Sequence, residues 1–192
     1  RVQVYFIDFK AYFHRDGLYS DAKKKRDYPD NDSRFILFSR GVLETLRLLY
    51  WQPDIIHCNN WQTGLIPLYI KTLYKNDKFF SKTSTVFTVH DYNETGSFSK
   101  DTLKKTNLAD IDSYDEKYTK LDSGFSFLKA GITSSDYVCI NNENYIKRVP
   151  KSLLTPVDQL LRKCKDRLFG IQRGVDYNNW NAENDNLIVA RY

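Results

Sequence analysis

Cysteine is scarce in this sequence, and methionine is absent from it altogether. The three cysteines, Cys58, Cys139 and Cys164, lie far apart and form no C-x-x-C pair. An odd number of widely spaced thiols supports neither a disulfide framework nor a structural zinc site, and it is typical of a reduced compartment. We therefore expect no resident metal or other cofactor, and we expect the cytoplasm as the location.

Long apolar runs and strong charge of one sign are also lacking. Apolar residues never continue for more than a few positions, which falls far short of the roughly 20 that a membrane-spanning helix needs. The net charge of +5 comes from basic residues that acidic residues interrupt, so no basic track for nucleic acid is formed. We expect neither a membrane nor a nucleic acid as partner.

What is present is the composition of a globular domain. Hydrophobic residues make up 41% of the 192 positions and charged residues 28%. This length suits one domain, and we interpret residues 1–192 as a single domain. Because the chain begins at Arg1 and contains no methionine, we interpret it as a piece of a longer protein.

Strands and helices alternate along the sequence. Apolar runs rich in β-branched and aromatic residues predict strands at residues 2–8, 55–58, 84–90, 137–140 and 169–171. Apolar residues at helical spacing predict helices at residues 33–50, 63–74, 125–132 and 156–167. Glycine, proline and many charges indicate an exposed loop at residues 9–32, and residues 91–123 form an irregular insertion with a short helix near 102–106.

This alternation predicts the α/β class, with a doubly wound, mostly parallel, Rossmann-like sheet. The short apolar strands are typical of strands that helices cover on both faces. In such sheets ligands bind at the carboxyl ends of the strands. His57 and His90 both lie at the ends of predicted strands, which makes them the first candidates for a site.

Four motifs then make the sequence recognisable. Residues 51–65 read WQPDIIHCNNWQTGL and resemble the W-x-P-D-[IV]-[IV]-H-x-H-D-W-x-[TA]-[GA]-L segment of bacterial glycogen synthases and plant starch synthases. Residues 85–90 (TVFTVH) and 125–131 (FSFLKAG) resemble a strand and a helix of the same family. Residues 170–176 (GIQRGVD), followed by Trp180, resemble its G-[IV]-x-N-G-[IV]-D-x-x-x-W motif. All four stand in the family's order and spacing.

The resemblance implies a fold and a reaction. These enzymes transfer glucose from ADP-glucose to the non-reducing end of an α-1,4-glucan with retention and without a metal. Their GT-B fold places two Rossmann-like domains on either side of a cleft, and this chain resembles the later part of the acceptor-side domain. The family's first strand, its K-x-G-G-L loop and its nucleotide-binding domain have no counterpart in the sequence. The implied partners are an α-glucan, a sugar nucleotide (ADP-glucose before UDP-glucose) and a complementary nucleotide-binding domain.

The resemblance also implies site residues. His90 would be the catalytic residue, donating a hydrogen bond to the transferred sugar near its 6-hydroxyl. The alternative interpretation of His90 is a structural one, in which the histidine only caps the end of the sheet. The implied substrate-binding residues are Asn60, Trp61, Asp91, Gly96 and Arg173, with Arg173 on phosphate or glucan. The alternative interpretation of Trp61 is that it packs against the following helix and does not bind substrate.

Departures from the family pattern concentrate at this predicted crevice. Where the family has a second histidine and an aspartate, this sequence has Asn59 and Asn60. Asp91 and Glu94 add negative charge beside His90, and the family's S-P-T-Y segment is replaced at residues 141–145. Amides bind hydroxyls more weakly than carboxylates do. These changes leave a second hypothesis open: a catalytically degenerate domain of the same fold that binds glucan or docks to a protein.

Overall fold

The computed structural model describes residues 2–21, 23–108, 120–121, 124–142, 144–145, 154–172 and 174–190. Within them the helices are α1 (Lys10–Phe13), α2 (Asn31–Leu48), α3 (Leu65–Lys71), α4 (Thr102–Lys105), α5 (Phe127–Ser134) and α6 (Pro156–Lys163). The strands are β1 (Ser20–Asp21), β2 (Arg26–Asp27), β3 (Ile55–Asn59), β4 (Ser84–Val89), β5 (Ser97–Phe98), β6 (Lys120–Leu121), β7 (Gly124–Ser126), β8 (Tyr137–Ile140) and β9 (Leu168–Gly170).

A four-stranded parallel sheet organises the molecule, with strand order β3-β4-β8-β9. Consecutive residues of β4, from Phe87 to Val89, are buried, so both faces of this central strand are covered. This confirms the predicted α/β class with a parallel, Rossmann-like sheet. The parallel direction brings the carboxyl ends of all four strands to one edge of the sheet.

The predicted strand at residues 2–8 is wrong. This segment forms neither helix nor strand, and Val2, Val4 and Phe6 are largely exposed. A β-rich composition is not enough for a strand, because a strand also needs a neighbour for its hydrogen-bond ladder, and no described strand pairs with this segment. The segment 9–32 contains α1 and the β1–β2 hairpin, and α2 begins at Asn31, before the predicted Ser33.

Other predicted elements match the structure closely. Strand β8 has the predicted bounds, and the short helix expected near residues 102–106 is α4. The helix predicted over residues 156–167 ends at Lys163, and a 3-10 helix, Lys165–Arg167, follows it. Thr155 and Asp158 form a capping box that explains why α6 begins at this proline-containing turn. Residues 109–119 and 122–123 of the predicted insertion lie outside the described residues.

One glycine lets two helices approach closely. A Cβ atom at Gly64, just before α3, would lie 1.9 Å from the carbonyl oxygen of Phe127 at the start of α5. A Cβ atom added at Gly131 of α5 would likewise lie 2.4 Å from the ring of Phe87 in β4. Helices α3 and α5 therefore pack tightly and fix the loops that follow β3 and β4.

Among the described residues, no helix combines the length and apolar character that crossing a bilayer requires.

A partly buried carboxylate ties β4 to the turn before β8. Asp136 accepts hydrogen bonds from the backbone N–H and the hydroxyl of Thr85, at 2.7 and 2.9 Å, and an ion pair from Lys71 Nζ at 2.6 Å. Burial alone would raise the pKa of Asp136, but the bonds from Lys71 and Thr85 outweigh it and hold the pKa below its ordinary value.

We expect Asp136→Ala to lower the free energy of unfolding by about 2–3 kcal/mol, because it leaves buried Thr85 donors without an acceptor. Lys71→Ala, which removes only an exposed partner, should cost about 1 kcal/mol or less. Because folding lowers this pKa, the contribution is complete above the ordinary value of about 4 and disappears as the pH falls through the lower folded value. Urea unfolding across that pH range measures it, and an Asp136→Ala deficit that stays constant with pH would contradict it.

Candidate functional site

The carboxyl ends of β3, β4 and β8 bring three polar residues together at one edge of the sheet. The register pairs Asn59 with Thr88 and Val89 with Ile140, so the residues that follow each strand are neighbours. Asn59 ends β3, His90 directly follows β4, and Asn141 directly follows β8. This is the position that the fold class predicts for a ligand site.

The imidazole of His90 lies between two amide side chains. Its Nδ1 is 3.2 Å from Asn141 Oδ1 and its Nε2 is 2.9 Å from Asn59 Oδ1. The residue is partly exposed, and the Asn59 contact lies on the exposed side. Amide side chains, not only backbone groups, therefore set the orientation of this ring.

Asn60 occupies a strained backbone conformation beside His90. Its φ of 56° and ψ of −179° lie in a region that residues other than glycine rarely adopt. Its Oδ1 accepts hydrogen bonds from the backbone N–H groups of His90 at 2.8 Å and Asp91 at 3.4 Å, and its own N–H donates to the Thr88 carbonyl at 2.9 Å. Because backbone N–H groups only donate, these bonds fix the amide so that Nδ2 points away from them.

The strain at Asn60 allows a direct test. Asn60→Ala loses the bonds to residues 90 and 91 and keeps a Cβ at positive φ, whereas Asn60→Gly loses the same bonds without the strain. We expect the alanine variant to be less stable than the glycine variant by about 1–2 kcal/mol. Urea unfolding of both variants checks this, and equal stabilities would show that residue 60 carries no backbone strain.

Trp61 is buried, with 4% of its surface exposed. Its ring packs among Tyr19, Phe35, Phe98 and Phe127, with the Phe35 centroid 4.8 Å away in an edge-to-face arrangement. A sugar ring cannot stack on an indole that is covered on every side. The structure therefore places Trp61 in the core behind the site, in a cluster of aromatic rings from other segments.

Gly96 faces that same indole. Its φ is +54°, and a Cβ there would lie 2.4 Å from Trp61 Cε3. Its carbonyl accepts from the backbone N–H of Phe127 at 3.1 Å, which anchors the start of α5. Gly96 is thus required for a close approach of backbone to ring, and its contact with substrate stays a prediction.

Asp91 is held at the rim of the site. Its carboxylate accepts from the backbone N–H of Asn93 at 2.8 Å and forms a local turn, while the side chain remains partly exposed. Arg173, which the sequence suggested for phosphate or glucan, lies outside the described residues. His57 bonds through Nε2 to Thr88 Oγ1 at 2.7 Å, a contact between neighbouring strands within the sheet.

Two tyrosines that the sequence did not single out stack beside this edge. The rings of Tyr92 and Tyr145 are 4.7 Å apart with an interplanar angle of 8°. Burial raises the pKa of both phenols, so both remain neutral hydrogen-bonding groups at physiological pH. Their positions, shortly after β4 and β8, follow from the same rule that located His90.

Among the described residues, the thiols offer no alternative catalytic centre. Burial raises the pKa of Cys58 to about 12, and it also raises the pKa values of Cys139 and Cys164, so none is a ready nucleophile. Across the described ranges, no group of three histidine, cysteine, aspartate or glutamate residues could hold a metal ion. The chemistry of the described site is hydrogen bonding by imidazole, amide and carboxylate groups, which suits a ligand rich in hydroxyls.

Comparison with known proteins gives consistent results. The sequence model of a family described as the starch synthase catalytic domain matches residues 1–163. A glycogen synthase of Elusimicrobium minutum is 40% identical over 193 residues, which cover 100% of this chain and 39% of that protein. A glycogen synthase of Chlorobaculum parvum is 37% identical over 195 residues, with 100% and 39% coverage. The chain thus spans about two fifths of the length of these relatives.

A solved structure supports the same relationship. The catalytic domain of starch synthase IV from Arabidopsis thaliana, bound to ADP and acarbose, superposes with a TM-score of 0.65 at 25% identity. The superposition covers 87% of this chain and 34% of that one. The parallel sheet described above therefore corresponds to the sheet of one part of a GT-B fold.

Proposed function

The chain belongs to the starch synthase catalytic domain family, and we propose that it is the acceptor-side half of a glucosyltransferase that extends α-1,4-glucans. The donor is ADP-glucose in preference to UDP-glucose, and the acceptor is the non-reducing end of a glycogen-like glucan. The enzyme works in the cytoplasm without a resident cofactor. A complementary domain, in the same full-length protein or in a partner, binds the nucleotide.

The observation that carries this proposal is the position of His90. It is at the end of a central parallel strand, its backbone is fixed by Asn60, and its ring is fixed by Asn59 and Asn141. A preoriented hydrogen-bonding group contributes to transfer because it needs no reorganisation when charge develops in the transition state. His90 hydrogen-bonds to the transferred glucose near its 6-hydroxyl.

Asn60 and Asp91 hold neighbouring hydroxyls. Within the part of the chain that the structure describes, Asn60 Nδ2 takes part in no hydrogen bond, so it is available to donate to a sugar oxygen. The partly exposed Asp91 carboxylate accepts from a hydroxyl on the same rim. Trp61 supports the loop from behind and contributes no direct contact.

The test is incorporation of labelled glucose into glycogen by the longest natural form of the protein. ADP-glucose and UDP-glucose are supplied separately, and inverting and retaining products are separated by digestion with an α-1,4-specific amylase. The proposal predicts incorporation that the amylase releases, and faster incorporation from ADP-glucose. A folded natural protein that incorporates glucose from neither donor would contradict it.

A second candidate is a glucan-binding domain without turnover. It is favoured by the replacement of the family's histidine and aspartate by Asn59 and Asn60, since neutral amides retain sugars yet stabilise developing charge poorly. Retention on glycogen beads without incorporation of glucose identifies this function. Failure in both assays leaves the protein-docking alternative.

A further inference from the structure

The side chain of Asn141 is oriented by the backbone of His90. Its Nδ2 donates to the His90 carbonyl at 3.4 Å, and this places its Oδ1 3.2 Å from His90 Nδ1. A carbonyl oxygen accepts only, so the amide cannot be reversed without losing this bond. Asn141 therefore presents an acceptor to Nδ1, which favours the tautomer with the proton on Nδ1.

We propose that Asn141 is a positioning residue that holds His90 as the Nδ1–H tautomer, so that Nε2 accepts a hydrogen bond from a hydroxyl of the bound sugar. The hydrogen bond made by one ring nitrogen decides the state of the other. In a neutral imidazole with a proton on Nδ1, Nε2 has a free lone pair. This inference rests on the proposed function and reverses one expectation from the family resemblance, in which His90 is the donor.

Asn59 is the group that the sugar displaces. Its amide lies 2.9 Å from Nε2 on the exposed side of the ring, whereas the Asn141 contact is partly buried. No other bond to this amide occurs among the described residues, so a half-turn exchanges its Oδ1 and Nδ2 and lets it donate to Nε2. The site is thus satisfied without ligand, and a sugar hydroxyl replaces Asn59 by supplying the same donor.

Both amides are departures from the family pattern. Asn59 replaces the second histidine of the H-x-H-D-W motif, and Asn141 is the first of residues 141–145, which stand in place of the S-P-T-Y segment. The structure brings these two changes, which are distant in sequence, to opposite nitrogens of one ring. Together they form a clamp on His90, and this pairing gives the two substitutions a common physical role.

The tautomer is measured directly by long-range ¹H–¹⁵N correlation in the longest natural form, labelled with ¹⁵N-histidine and held above about pH 8, where an ordinary imidazole is neutral. The His90 signals are assigned by their loss in His90→Gln. We expect the Nδ1–H pattern in the natural protein and its loss in Asn141→Ala. Asn141→Asp keeps an acceptor opposite Nδ1 and should keep the pattern, and Asn142→Ala, which changes the neighbouring amide, should leave it intact.

Transfer assays on the same variants separate the inference from the proposed function. We expect kcat for Asn141→Ala to fall about tenfold, with a smaller change in KM and with recovery in Asn141→Asp. An Nε2–H pattern in the natural protein, or an unchanged pattern in folded Asn141→Ala, would overturn the positioning role even if transfer is active. The expected patterns in a protein that transfers no glucose would support the clamp and reject the proposed function.

Discussion

His90→Ala should lower kcat for glucose transfer by about a hundredfold or more, with little loss of glucan retention. The ring touches the reacting sugar in the proposed function, and loss of one preorganised hydrogen-bonding group typically costs 100- to 1,000-fold in such reactions. Retention of the acceptor glucan should change little, because His90 contacts the transferred glucose and not the acceptor in the proposed function. Labelled incorporation into glycogen measures kcat, and retention on glycogen beads measures binding.

His57→Ala is the matched control for this variant. It removes an imidazole from the adjacent strand, whose Nε2 bonds to Thr88 Oγ1 inside the sheet. We expect a stability loss of about 1 kcal/mol and an unchanged kcat. Equal losses of kcat in the two variants would mean that sheet stability, and not the site, explains the effect of His90.

The largest effect on stability is expected for Gly64→Ala. The added Cβ would meet the Phe127 carbonyl oxygen at 1.9 Å, and a backbone atom in a tightly packed helix start cannot move away as a flexible side chain can. Helices α3 and α5 must separate to accept the methyl group. We expect the free energy of unfolding to fall by about 3 kcal/mol or more.

Gly174→Ala provides the corresponding control, because nothing lies within 4 Å of a Cβ at that position. The same chemical change should alter stability there by about 0.5 kcal/mol or less. Urea unfolding of both variants by circular dichroism makes the comparison. A Gly64→Ala protein as stable as Gly174→Ala would contradict the close packing of α3 against α5.

The sequence predicted the central sheet well, because its strands are short apolar runs that need only local pattern to be found. Strand β8 and most of β3 and β4 appear where β-branched residues predict them. The failure at residues 2–8 has the opposite cause: strand formation there depends on a partner elsewhere, which composition cannot supply. The end of α6 was also placed too late, since basic residues continue beyond it in a different helix type.

The site was only partly visible in the sequence. The end-of-strand position located His90, and the family motif located Asn60. The burial of Trp61 follows from an aromatic cluster drawn from five separate segments, and the clamp by Asn59 and Asn141 joins residues 31 and 51 positions from His90. Contacts of this range depend on strand register, which becomes known only when β3, β4 and β8 are aligned.

The central claim is that the sheet edge around His90 holds the glucose that is transferred. A crystal structure of the longest natural form with ADP and a bound α-glucan analogue tests it most directly. We predict a sugar hydroxyl within about 3 Å of His90 Nε2 and the Asn59 amide displaced from that atom. A glucan analogue bound elsewhere, with His90 still held by both Asn59 and Asn141, would contradict the claim.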